Sequence, residues 1–159
     1  MQAKTYEGSV RNLGDSKGLG SCGITYQYIE MADGTMITRV SMADGLCDKL
    51  MQAHRTRESV ELHILELEET AFFGTVALVA VKLGDGQTFA QGISVPPYLQ
   101  RWWSSPVGSF LVFIFGVLTI WVGGLGYRIC GFVWKDRKIM NSIRRTGEYA
   151  KALPDAILL

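Results

Sequence analysis

The chain has 159 residues, is 48% hydrophobic and carries a formal net charge of +1. That length has room for one compact domain of about a hundred residues, one membrane segment and a short tail. The charge is unevenly divided. Residues 1–106 hold nine Lys/Arg against twelve Asp/Glu, a balance of −3, whereas residues 107–159 hold seven against three, a balance of +4. An acidic domain followed by a basic tail argues against phosphate binding by the domain and for a tail held near anionic lipid.

In chain order, Lys4–Leu13 is a candidate first strand. A glycine-rich loop, Gly14 to Gly23, follows, and Gly18-Leu19-Gly20-Ser21-Cys22-Gly23 within it matches G-x-G-x-x-G. A dinucleotide site needs that loop to open a helix whose N-terminus receives the pyrophosphate. The next residues, ITYQYIE, are β-branched and aromatic, so a strand follows and a cofactor role is not expected. Gly14, Gly18, Gly20 and Gly23 are kept as a possible binding loop at the rim of the domain.

Gly23–Glu30 and Thr35–Ser41 flank Ala32-Asp33-Gly34. Asp-Gly is a strong hairpin signal, because both central residues tolerate positive φ. A short helix is expected next, capped by Ser41, with Met42, Leu46, Leu50 and Ala53 near helical spacing. Val60–Leu67 then alternates with Val60, Leu62 and Ile64 on one side, after which Leu65 and Leu67 take the opposite phase. That slip is the pattern of a β-bulge. Gly74–Leu83 and Gln87–Val95, joined at Gly84-Asp85-Gly86, complete a domain over residues 1–100.

Three strands, a helix, then two or three strands form a mainly β (α+β) unit whose element order resembles the OB-fold barrel. An SH3-like barrel is the alternative. The resemblance covers about ninety residues and rests on element order, with no family motif beside it. OB-folds often bind oligonucleotides, and Tyr6, Tyr26 and Tyr28 are candidates for base stacking. The acidic run Glu61, Glu66, Glu68 and Glu69 speaks against that role, so a membrane-tethered nucleic-acid binder is the second reading.

Catalytic and metal chemistry have little support. His54 and His63 are the two histidines, and with Cys22 and Cys47 they lack the close ligand pairs of structural zinc sites. No serine or cysteine sits in a nucleophile elbow. Cys22 and Cys47 could pair in an oxidising compartment; unpaired thiols are the plainer reading. His63 is expected on the solvent face of its strand, and His54 near the end of the helix. The expectation is therefore a non-enzyme with no cofactor and no metal; an enzyme or metal protein is a third reading.

The second half is dominated by Trp102–Tyr127, WWSSPVGSFLVFIFGVLTIWVGGLGY, which has no charged residue. A hydrocarbon core ~30 Å thick needs roughly 20 apolar residues of helix. We expect an interfacial linker at 101–106, a transmembrane helix at 107–134, and a basic amphipathic tail at 135–159. Ser109, Gly116, Thr119, Gly123, Gly126 and Cys130 would form a small-residue stripe for helix–helix packing. Trp102, Trp103, Tyr127 and Trp134 suit interfacial belts. In the tail, Arg137, Lys138, Arg144 and Arg145 oppose Ile139, Met140, Ile143 and Tyr149, a pattern suited to a membrane surface. The terminal ALPDAILL is apolar enough to dock on a partner or lipid.

The basic residues after the apolar run outnumber Arg101 before it, which places the tail in the cytoplasm by the positive-inside rule. A re-entrant bend at Gly123-Gly124-Leu125-Gly126 would instead leave both ends cytoplasmic. The functional expectation is a single-pass protein of a plasma or inner membrane acting as an interaction or assembly subunit. Its expected partners are lipid and either copies of itself or other membrane-complex subunits.

Overall fold

The computed structural model describes residues 3–18, 22–67, 75–94 and 125–159, together with Phe110 and Ile114. Side chains within the last helix are described from Lys138 onward.

The strands are β1 (Lys4–Leu13), β2 (Ser16–Gly18), β3 (Ile24–Met31), β4 (Met36–Met42), β5 (Ser59–Glu66), β6 (Val76–Lys82), β7 (Thr88–Ala90) and β8 (Ala156–Leu158). Helix α1 (Asp44–Thr56) lies between β4 and β5, and helix α2 (Leu125–Ala152) between β7 and β8. Five strands close a barrel. β1 pairs with β3 and β5, β3 with β4, and β5 with β6, all antiparallel. A parallel pairing of β4 with β6, at Val40↔Val76 and Ser41↔Ala77, shuts the ring. A helix between the third and fourth barrel strands and this parallel closure are consistent with a small OB-like barrel.

Local chemistry explains the turns. At the β3–β4 hairpin Gly34 takes φ +87, a region open to glycine at little cost. Asp33 Oδ1 and Oδ2 accept the backbone N–H and the hydroxyl of Thr35, both at 2.8 Å. These bonds hold the Asp33 carboxyl below its usual value. The expected helix starts two residues later than its sequence cap suggested. Ser41 stays in β4, opposite Thr25, and its Oγ lies 2.8 Å from Thr25 Oγ1. The N-cap is Ala43, which has no side-chain bond to offer. Leu46, Cys47, Leu50 and Ala53 are buried on one face of α1 and close the barrel interior with Val10, Ile29, Met31, Val40, Met42, Val60, Leu62, Ile64, Leu78 and Val81.

The phase slip near Leu65 has a different origin from a bulge in β5. His63 pairs with Ala80 and Ile64 with Leu78, so the extra residue, Val79, belongs to β6. Strand β5 keeps its alternation: Val60, Leu62 and Ile64 enter the barrel core, while Leu65 and Leu67 join an outer cluster. They are apolar because the outer face here is also covered.

That cover is α2. The helix runs unbroken from Leu125 to Ala152, through the boundary expected at 134/135. Residues 138–159, expected as a tail on a membrane surface, pack on the barrel instead. Ile143 and Ala150 are each 2% exposed, and β8 adds to β7 in parallel at Thr88↔Ala156, Phe89↔Ile157 and Ala90↔Leu158. Two apolar layers of one chain satisfy each other, which a lipid surface is not needed to do. Among the described residues no helix is long and apolar enough to cross a membrane.

Candidate functional site

The feature that organises the described residues is the seam between the segment after β7, Gln91–Ile93, and α2. Its floor is the outer face of β5 and β6, with Leu65, Ala77 and Val79 buried beside Cys22, Ile93 and Ile143. Ala3, Leu67, Ile139 and Tyr149 close its edges. A second, smaller patch joins Ala80, Ala90 and Ala150 under Leu153 and Ala156. Strand β6 reads VALVAVK because both of its faces are covered, one by the barrel core and one by α2.

Glycine sets the separation across the seam. A methyl at Gly92 would lie 2.5 Å from Gly147 Cα and 2.7 Å from Gly147 N. The departing strand and the returning helix therefore touch backbone to backbone. One residue along, the Ile93 N–H donates to Thr146 Oγ1 at 3.1 Å, and that hydroxyl donates to the Ile143 carbonyl at 2.7 Å. Thr146 is fully buried, so both bonds form away from water and neither group is left unpaired.

A polar latch borders the seam. His63 Nε2 lies 3.2 Å from Glu61 Oε1, whose other oxygen accepts from Lys82 Nζ at 3.1 Å. His63 Nδ1 lies 3.4 Å from Tyr149 Oη on α2. A carboxylate only accepts, so the neutral ring carries its proton on Nε2 and takes the Tyr149 hydroxyl at Nδ1. The side expected to face solvent at His63 thus faces α2. His54 sits at the other end of the barrel, with Nδ1 3.2 Å from the Val10 carbonyl oxygen. Among the described residues no cluster of three or more His, Cys, Asp or Glu could hold a metal ion.

Cys22 and Cys47 are both buried and unpaired. They belong to different layers, Cys22 to the outer cluster and Cys47 to the barrel core. The Cys47 thiol lies 3.4 Å from Tyr26 Oη, which also reaches Met51 Sδ at 3.5 Å. Burial pushes both the Tyr26 hydroxyl and the Cys47 thiol up, toward their neutral forms, so neither is an activated nucleophile.

The described glycines of the Gly14–Gly23 segment sit in different surroundings. Gly14 packs where a methyl would meet the Tyr28 ring at 2.6 Å, and its N–H donates to the Tyr28 carbonyl at 2.9 Å. Gly23, at φ +117, lies against the Met42 carbonyl and admits no side chain. Gly18 ends β2 opposite Ile24, with open space beside it. Gly20 lies outside the described residues. Two of the four glycines are thus explained by packing at the β1–β3 connection.

Of the expected helix-packing stripe, Ser109, Gly116, Thr119 and Gly123 lie outside the described residues, while Gly126 and Cys130 fall in the first turns of α2. Trp102 and Trp103 also lie outside them. Tyr127, Trp134 and Arg137 are in α2, and Lys138, Arg144 and Arg145 are exposed on it, with Arg144 paired to Glu148 at 3.2 Å. Sequence reasoning missed Gly92, Ile93, Thr146 and Gly147. Their signal was the small-residue character of the α2 stripe Ser142, Thr146, Gly147 and Ala150, which marks close backbone approach. No family model, curated protein or solved structure matches the chain.

Proposed function

We propose that this protein is a membrane-attached, non-catalytic interaction or assembly subunit. The observation that carries the reading is the uncharged run Trp102–Tyr127. Within it Phe110 and Ile114 are helical, one turn apart, and 63% and 37% exposed. Water-facing apolar surface of this kind is unfavourable, and lipid or a partner helix removes the cost.

Within the membrane the small residues Gly116, Thr119 and Gly123 supply a surface for close helix packing. The partner is another copy of this chain or a further subunit of a membrane complex. Chemical crosslinking of the full chain in native membranes, followed by mass analysis, tests the proposal. Self-crosslinks or crosslinks to a membrane protein are expected, and both should fall in a Gly116→Leu/Gly123→Leu chain. A chain that sediments with membranes yet crosslinks to nothing, or is indifferent to that double change, would overturn the assembly role.

A further inference from the structure

Helix α2 carries two unlike faces. The inner one buries Ile143, Thr146 and Ala150 on the barrel. The outer one, at the three- and four-residue spacing of a single helix face, presents Lys138, Asn141, Arg144, Arg145, Glu148 and Lys151, all exposed. Four basic residues stand against one acid, and that acid is paired with Arg144 at 3.2 Å. The row runs about 20 Å along the helix. We infer that this row is a docking surface for the phosphate headgroups of an anionic bilayer, and that α2 lies along the lipid surface with the barrel on its far side. The inference rests on the membrane attachment proposed above and adds to it the surface that meets the headgroups.

The inner face decides the kind of contact. Thr146 Oγ1 accepts the Ile93 N–H at 3.1 Å, and a methyl at Gly92 would lie 2.5 Å from Gly147 Cα, so α2 is held against turning about its axis. Its apolar residues already cover the barrel and are not offered to lipid. Insertion of an apolar face, the usual mode of an amphipathic helix at an interface, is therefore closed to this part of α2. What remains is charge. Each Lys or Arg near an anionic surface strengthens binding about fivefold, and the attraction fades within a Debye length of ~8 Å.

Charge also sets the orientation. Residues 1–106 have a balance of −3, so an anionic bilayer repels the barrel and attracts the outer side of α2. Lys138 lies eleven residues past Tyr127, and Lys151 twenty-four. Along a helix these separations are ~16 and ~36 Å. An upright α2 brings only the start of the row near the headgroups, whereas a helix lying along them engages all four basic residues. Nucleic acid also offers phosphate, but binders of single strands add aromatic stacking. The aromatic residue on this length of α2, Tyr149, has its Oη 3.4 Å from His63 Nδ1 and is half-buried there.

The test uses the full chain with Cys130→Ser, in which Cys22 and Cys47 are buried. One fluorescent thiol label is placed at Asn141→Cys in the row or at Met36→Cys on the barrel, both exposed positions. The chain is reconstituted into vesicles of phosphatidylcholine, with or without phosphatidylglycerol, that carry a headgroup-nitroxide lipid as quencher. Quenching of the Asn141→Cys label in the anionic vesicles alone is expected. It should be lost as salt rises from about 0.1 M to about 1 M, where the screening length shrinks to ~3 Å, with the Met36→Cys label unquenched throughout. Arg144→Gln/Arg145→Gln/Lys151→Gln should shift the docking equilibrium roughly 100-fold, and Lys151→Gln alone about fivefold. Quenching that is equal in neutral and anionic vesicles, or unmoved by salt, would overturn docking by charge; the salt series needs no change of charge in the row. A response to Lys138→Gln with none to Lys151→Gln would overturn the helix lying along the surface. Both failures leave attachment to neutral vesicles, and so the proposed function, intact. A chain held by anionic vesicles alone and released by salt would overturn attachment through 102–127 and keep the row. A chain held by neither vesicle would overturn both. Salt-sensitive binding of an oligonucleotide without headgroup quenching would overturn lipid as the partner in favour of nucleic acid.

Discussion

Replacing either glycine at the seam by alanine is chemically the same change, yet the two should act in opposite directions. A methyl on Gly92 points at Gly147, 2.5 Å from its Cα and 2.7 Å from its N. Carbon atoms rest about 3.5–4.0 Å apart, so α2 must retreat by roughly 1 Å over a layer that is otherwise closely packed. Overpacking of this kind costs about 1–3 kcal/mol. A methyl on Gly147 meets nothing within 4 Å, and Gly→Ala in a helix interior favours the helix by about 1 kcal/mol. Hydrogen exchange of the full chain in detergent micelles, read on peptides covering 139–152, resolves both. With tenfold per 1.4 kcal/mol, local opening should rise roughly 5- to 150-fold in Gly92→Ala and fall roughly 5-fold in Gly147→Ala. Equal responses, or unchanged protection in Gly92→Ala, would refute the backbone contact at the seam.

Thr146→Val should leave the Ile93 amide buried and unpaired, at a cost of about 1–3 kcal/mol; Thr146→Ser should restore most of it, with Ile93 exchange as the readout. Cys22 and Cys47 should resist alkylation in the folded chain and react once it is denatured, and mass spectrometry should find no disulfide between them. The Glu66 carboxyl is held below its ordinary value by the hydrogen bond and charge of Lys4, 2.8 Å away. The pair is therefore intact above the ordinary glutamate range and is lost as pH falls through the lowered value. In Lys4→Ala, carboxyl NMR should show Glu66 titrating at higher pH than in the parent chain.

The barrel was readable because its elements carry local signals. Asp33-Gly34 announced the β3–β4 turn, the Leu46/Leu50/Ala53 spacing announced α1, and Val60, Leu62 and Ile64 announced the inner face of β5. Reading failed where one pattern serves two environments. Ile139, Ile143 and Tyr149 make the same helical stripe whether lipid or a sheet covers them, and only the partner surface decides. Leu65 looked out of phase for the same reason, since a second covered face makes an outward residue apolar. The strand expected at Gln87–Val95 stops at Ala90, because the chain turns to bring Gly92 and Ile93 onto α2. No local rule marks that departure. Ser41 had the chemistry of a cap, but its tertiary bond to Thr25 kept it in the strand.

The central claim is that the barrel and the returning helix are one folded body, with the apolar stretch as its membrane attachment. Exchanging residues 102–124 for an equally long Gly/Ser linker, and following both chains by lipid-vesicle flotation and by hydrogen exchange on 139–152, tests it most directly. The account predicts that the parent floats with vesicles, and that the exchanged chain stays in solution with α2 still protected against the barrel. Flotation of the exchanged chain, or loss of α2 protection in it, would contradict that claim.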